Sequence, residues 1–271
     1  MHAVSPTVAP DLNAVLAALT AGIRATLGEV LLAVYLQGSW ALGDADAYSD
    51  VDWLAVVARP LSAGEIAALE DLHRRLYALP SPWAQHLEGS YAPLDSIRAD
   101  DPARTPWPYL DNGSQELVPS DHDNTRVVRW TLYECGVALW GPAPRTLIAP
   151  VPADALRAEV LATMASWGRD LLADPAPLDN RWYQAFAVLW YCRALHTLET
   201  GRVTSKRAAV EWAMEALEAP WAGLIARAWA ERPNTWANVH LAADPDEAAE
   251  THAFIGYAVE RVRQADRRPE E

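Results

Sequence analysis

Apolar positions along this chain follow two rhythms, and the change from one to the other marks two halves. Residues 11–27 place Leu12, Val15, Leu16, Leu19, Ile23 and Leu27 at helical spacing, with Asp11 suited to the N-cap. Two short apolar runs follow, at 32–36 and 51–57, and both read as buried strands. Residues 62–79 return to the helical rhythm, and Ser62 with Glu65 forms a capping-box pair. After Pro80 and Pro82, residues 83–91 read as a strand. Residues 98–120, with Pro102, Pro106, Pro108 and Pro119, read as a long loop. Residues 122–139 look helical.

Four prolines between 141 and 152 cannot continue a helix and make the clearest boundary. Beyond them residues 153–172, 182–200, 205–217, 221–231 and 245–265 all carry helical spacing. The expected organisation is an α+β domain at 1–150, a mixed sheet with helices, followed by an all-α helical bundle at 151–271.

Composition narrows the partners. Of 271 residues 51% are hydrophobic, enough for a sizeable core. No run of 18 apolar residues suggests a membrane span, and residues 1–10 lack the basic and apolar blocks of a secretory signal. Cys135 and Cys192 sit among apolar residues, as reduced buried thiols do, and no Cys/His cluster has zinc spacing. A cytoplasmic monomer is expected. The formal charge is −14, with 22 Lys and Arg against 36 carboxylates. Binding nucleic acid requires cations to neutralise phosphates, so a nucleic-acid partner is disfavoured and a cationic small molecule is favoured.

The chemistry concentrates between the two apolar runs. Gly38-Ser39 follows the first, and Asp50-Val51-Asp52 opens the second after a ten-residue spacer. Positions two apart on a strand share a face, about 6–7 Å apart, so Asp50 and Asp52 repel each other and invite a hard cation. Mg²⁺ takes oxygen ligands and shares them with substrate phosphates. The Gly-Ser turn brings backbone amides and a hydroxyl toward a phosphate, and Ser39 and Ser49 flank the same space. Glu88 is a third carboxylate. Alternation puts it on one strand face with His86 and Ser90, and pairing beside the Asp strand would bring it to the metal as a proton acceptor.

In the second half, Arg193 lies within an apolar helix, where a charge is costly unless paired. Lys206 follows Ser205 near a helix start, where exposed amides and a lysine together suit an anion. Thirteen tryptophans against two phenylalanines is unusual. Trp107, in the proline-rich segment, and Trp182, at a helix start, could meet a cationic sugar through their ring faces.

The Gly-Ser…Asp-x-Asp pattern resembles the active-site signature of the nucleotidyltransferase superfamily, related to DNA polymerase beta. Residues 38–57, 86–89 and 135–142, Tyr191-Cys-Arg-Ala-Leu, and Thr200-Gly-Arg-Val-Thr-Ser-Lys206 through Glu211-Trp-Ala213 resemble the aminoglycoside nucleotidyltransferases of the streptomycin and spectinomycin type. This resemblance covers nearly the whole chain. It implies O-adenylyl transfer from ATP with one or two Mg²⁺, held by Asp50, Asp52 and Glu88, with Glu88 as catalytic base. It implies that Gly38, Ser39, Ser49, Arg193 and Lys206 bind the nucleotide, that the helical domain completes the nucleotide and substrate sites, and that Asp179 binds a cationic group of the drug.

The sequence departs from the family at two drug contacts. Leu172-Ala-Asp-Pro175 stands where the family has a streptomycin-gripping tryptophan, and the stretch between Glu88 and His122 does not match. For the family's late adenine-stacking tyrosine, residues 226–231 offer only Trp229. On the residues alone two other readings stay open. One is adenylylation of a different metabolite or a protein side chain; the other is a non-catalytic nucleotide-binding regulator, against which the complete carboxylate set argues.

Overall fold

Strands β1 (Leu31–Leu36) and β2 (Val51–Val57) form where the two apolar runs predict them and lie side by side, antiparallel. The computed structural model describes residues 6–234 and 238–266, so residues 1–5 of the stretch read for a secretory signal lie outside the described residues. The chain divides into two compact units, Met1–Val151 and Pro152–Glu271.

In the first unit β3 (Leu87–Pro93), β4 (Trp107–Leu110), β5 (Leu117–Ser120) and β6 (Val137–Trp140) complete a six-stranded sheet in the order β5-β4-β3-β2-β1-β6. Only the β2–β3 pairing is parallel. One face packs on helices α1 (Pro10–Leu27) and α3 (Ala63–Tyr77). Leu12, Leu16, Leu19, Ile23, Leu69 and Leu72 meet Val34, Leu36, Trp53, Ala55 and Val57 there. Side chains alternate along a strand, so Ala33, Tyr35, Leu54 and Val56 point the other way. They pack with Ala92, Ile97, Trp107 and Leu132. Asp52 and Glu88 share the parity of this second face.

Helix α1 is capped two residues earlier than its pattern suggests: Ala9 is the N-cap, Pro10 takes the first position, and Asp11 sits in the first turn. Ser62 and Glu65 do form the reciprocal capping box. The short α2 (Gly38–Ala41) and α4 (Leu94–Ile97) follow β1 and β3 directly.

Three sequence expectations are corrected. Residues 83–91 begin with a 3₁₀ turn at Pro82–His86 before β3 starts. The proline-rich segment is not a long loop but contains the antiparallel pair β4–β5. Pro108 lies opposite Pro119, at a position where β3 makes no pairing with β4, so neither missing N–H costs the sheet its ladder. Finally, α5 (Arg126–Cys135) stops at Gly136, and Val137–Trp140 turns back as β6 beside β1. A four-residue apolar run carries no periodicity to distinguish strand from helix end. The proline-rich boundary carries one short helix, α6 (Pro144–Leu147).

The second unit is helical throughout its described residues: α7 (Ala153–Ala173), α8 (Arg181–Thr200), α9 (Lys206–Ala216), α10 (Ala222–Ala230) and α11 (Pro245–Asp266). Helix α8 is central and packs on α7, α9, α10 and α11. Gln184 on α8 donates to the Thr251 hydroxyl on α11 at 2.6 Å, joining the two helices by a buried polar contact. Asn180 and Ser205 cap the starts of α8 and α9, and Gly201 ends α8 in the left-handed conformation that a Schellman-type stop uses. No described helix is long and apolar enough to cross a membrane. No disulfide joins Cys135, which is half-buried, to Cys192, whose burial pushes its thiol up to about 12.

Under the first unit's sheet, His73 is 2% exposed, stacks on Trp53 at 5.6 Å and shares a 2.8 Å hydrogen bond with the Tyr91 hydroxyl. Its Nδ1 has no partner among the described residues. Burial lowers its pKa from 6.5 to about 4, because a charge there would be unsolvated. Between these values the unfolded chain binds the proton and the folded chain does not, so stability is present above about pH 6.5 and lost as pH falls toward 4. The shift corresponds to about 3 kcal/mol at its limit. Urea midpoints of the wild type should therefore drop between about pH 7 and pH 4.5 by more than those of His73→Gln, which keeps a donor for Tyr91 but does not titrate. Parallel pH curves for the two proteins would exclude His73 as the cause.

Candidate active site

Every residue of the candidate site in the first unit is placed by the β1–β2–β3 core. At the end of β1 the Gln37 N–H bonds to the Asp52 carbonyl at 2.9 Å, which holds the turn against the start of β2. Gly38 then adopts φ +60°. A Cβ there would lie 1.8 Å from Asp52 Oδ2, so both the conformation and the space require glycine. The Ser39 Oγ is shielded and has no hydrogen-bond partner among the described residues. A sequestered hydroxyl without a partner is costly unless a ligand supplies one.

The spacer closes back on itself. Ser49 accepts from the Asp46 N–H and donates to Asp46 Oδ1, and the Trp40 indole donates to the Asp50 carbonyl at 3.0 Å. Ser49 thus fixes the loop that delivers Asp50, and contact with a phosphate requires those bonds to be exchanged. Parallel pairing sets Asp52 opposite Glu88. One carboxylate oxygen each from Asp50, Asp52 and Glu88 lies within 4.8 Å of the others, and all three residues are half-buried. At such spacing each pair of like charges costs roughly 3–4 kcal/mol at an effective dielectric of about 20. Hard oxygen donors gathered this closely suit Mg²⁺.

Two side chains absent from the sequence expectations surround Glu88. The Tyr109 hydroxyl donates to Glu88 Oε1 at 2.7 Å, and His122 Nε2 stands 3.3 Å from the same oxygen. The two rings stack with centroids 5.0 Å apart. Burial and the Glu88 charge push the Tyr109 hydroxyl far above its ordinary range, which keeps it a donor. The hydrogen bond to Glu88 raises His122 to about 9, although its side chain is 58% exposed. Next to it Asp123 is buried and raised to about 6 by that burial, while Ser90 donates to its Oδ2 at 2.7 Å. The signal available in sequence is the run Asp121-His-Asp123, whose pattern by itself suggests a helix start near His122.

Trp107 is a correction. It is 1% exposed on β4, its indole donates to Ser96 Oγ, and the Arg129 guanidinium lies over its ring. Strand alternation turns it into the core, so it presents no face to a sugar. His86 does not join the carboxylates; its Nδ1 pairs with Asn112.

In the second unit Arg193 is half-buried on α8 and donates from Nε to the Thr204 carbonyl, linking α8 to the residues that open α9. Lys206 is the first residue of α9, directly after its Ser205 cap. Asp179 is exposed at the end of a 3₁₀ turn, where its carbonyl accepts from Ala243. Trp182 stacks on Phe186 at 5.1 Å. Trp229 carries two guanidiniums, Arg207 and Arg232, over its ring.

Comparison with known proteins agrees with this architecture. Residues 146–260 match the family described as aminoglycoside adenylyltransferase, C-terminal domain. The aminoglycoside (3'') (9) adenylyltransferases of Klebsiella pneumoniae and Escherichia coli are each 28% identical over 220 residues, spanning 76% of this chain and 79% of theirs. The fold is that of the spectinomycin adenyltransferase of Enterococcus faecialis, solved with ATP and spectinomycin. The TM-score is 0.68 at 15% identity, covering 92% of this chain and 98% of that one. The mixed sheet, the helical bundle and the carboxylate triad agree with these matches: residues 146–260 match the aminoglycoside adenylyltransferase C-terminal domain, and the chain as a whole is similar to the aminoglycoside adenylyltransferases.

Proposed function

We propose that this protein is a cytoplasmic, monomeric O-adenylyltransferase. It transfers AMP from Mg-ATP to a hydroxyl of an aminoglycoside or aminocyclitol antibiotic of the streptomycin or spectinomycin kind, and so confers resistance. The observation that carries the reading is the convergence of Asp50, Asp52 and Glu88 within 4.8 Å beside the Gly38-Ser39 turn, in a chain similar to the aminoglycoside adenylyltransferases. The names of the curated relatives and the ligands of the Enterococcus protein support the choice of acceptor.

The donor set fits one or two Mg²⁺ held by Asp50, Asp52 and Glu88. When bound, the metal supplies charge neutralisation on the reacting phosphate and the departing pyrophosphate. The chain's own groups do the rest. The Ser39 hydroxyl takes a phosphate oxygen as its missing partner, and Gly38 leaves room for the approach. Glu88 receives the proton of the acceptor hydroxyl. Arg193 and Lys206 bind the ATP phosphates. Asp179 pairs with a cationic group of the acceptor and Trp182 packs against its ring. The acidic balance of −14 favours such a cation over a polyanion.

The direct test incubates the purified protein with Mg-ATP and a panel containing streptomycin, spectinomycin and other aminoglycosides. Acceptor-dependent pyrophosphate release, with an AMP adduct by mass, is the expected result; no adduct with any acceptor in the panel removes the reading. In the same assay Asp50→Asn and Asp52→Asn are each expected to abolish transfer while remaining folded, because each deletes a metal ligand. Glu88→Gln should lower turnover by roughly 10²–10⁴ and leave ATP affinity nearly intact, the size of a general-base contribution. If instead ATP affinity falls and turnover holds, Glu88 serves only as a ligand of the metal or nucleotide and is not the base. Lys206→Ala should weaken the rise in melting temperature that Mg-ATP gives the wild type. An unchanged thermal shift in that variant would take Lys206 out of the nucleotide site.

A further inference from the structure

The Glu88 carboxylate is held asymmetrically. Both of its recorded donors, the Tyr109 hydroxyl and His122 Nε2, fall on Oε1, at 2.7 and 3.3 Å. None is recorded on Oε2 among the described residues. A phenol has one proton to donate, and its oxygen is closer to Glu88 Oε1, at 2.7 Å, than to Asp111 Oδ1, at 3.1 Å. The two donors come from one element, the β4–β5 hairpin. Tyr109 pairs across from Ser90, one position beyond the glycine that follows Glu88, and His122 leaves the hairpin two residues after β5. The His122 N–H bonds to Ser120 Oγ, its neighbour Asp123 is tied to Ser90, and its ring lies on that of Tyr109. The hairpin therefore fixes the rotation of the carboxylate about its own axis as well as its place.

We infer that Tyr109 and His122 are positioning residues that occupy Glu88 Oε1 and so reserve Oε2 for the proton of the acceptor hydroxyl. This rests on the proposed adenylyl transfer. A carboxylate free to rotate offers its lone pairs in many directions, and one with a fixed plane offers Oε2 in one. Displacing a reacting group by about an ångström costs on the order of a hundredfold in rate. The arrangement also bears on acceptors. Cationic side chains or amines of the drug meet a carboxylate whose Oε1 already has its donors, so a hydroxyl faces less competition for the other oxygen.

The test is steady-state kinetics on the full chain with the acceptor found for the wild type. Tyr109→Phe keeps the ring and its stack but removes the donor. It should lower kcat roughly tenfold to a hundredfold while KM for ATP and the melting temperature stay near wild type. His122→Leu should act in the same direction. His122→Gln, whose amide nitrogen reaches the place of Nε2, should restore most of the kcat. Wild-type kcat in both Tyr109→Phe and His122→Leu overturns the positioning role and leaves the proposed function standing. A drop confined to KM for ATP, or one that follows a lowered melting temperature, also overturns it, since it marks a nucleotide contact or a purely structural pair. A wild-type protein that transfers no AMP overturns both the function and this inference.

Discussion

Mutual repulsion among Asp50, Asp52 and Glu88 is the constraint around which the first unit is built. Three carboxylates within 4.8 Å do not stay together by preference. They stay because the backbone beneath them is over-determined. The parallel register puts Asp52 against Glu88, the Gln37–Asp52 bond pins the turn, and the Ser49–Asp46 bonds fix the loop that carries Asp50. The apolar fill on both sheet faces holds β2 and β3 in that register, with Leu54 and Val56 on one side and Trp53 and Ala55 on the other. Core packing here holds together three carboxylates whose repulsion a cation would relieve.

Most of this could be read from the residues themselves. The strands at β1 and β2 are apolar runs too short for helices, and the helices show their periods openly, with caps legible at Ser62 in the first unit and Ser205 in the second. The hairpin of β4 and β5 was hidden because its prolines, which ordinarily argue for a loop, sit where no ladder bond is needed. β6 was hidden because four apolar residues after a helix have no rhythm of their own. The place of β6 beside β1 is in addition a long-range fact, which no local pattern carries.

The same limit applies to the site. Asp50, Asp52 and the Gly-Ser turn lie within one short segment, and their spacing alone suggests a shared face. Tyr109 and His122 approach Glu88 only after a strand pairing that no local pattern encodes. Trp107 failed in the opposite way. Its proline-rich setting suggested exposure, and the strand that setting concealed turned the ring inward. Chemistry carried by a motif survives the passage from sequence to structure better than chemistry inferred from the character of a loop.

The pairing of β6 with β1 has a consequence for how the chain is made. These strands meet across roughly a hundred residues of intervening chain, a loop whose closure costs entropy before any contact repays it. On the ribosome, β1 emerges long before its outer neighbour exists. Until residue 140 has been synthesised, the edge of β1 stands open with its backbone donors and acceptors unpaired, a surface on which nascent chains associate. Vectorial synthesis thus leaves β1 uncovered for most of the first unit's own translation, until the last strand made pairs with it and becomes the sheet's edge in its place.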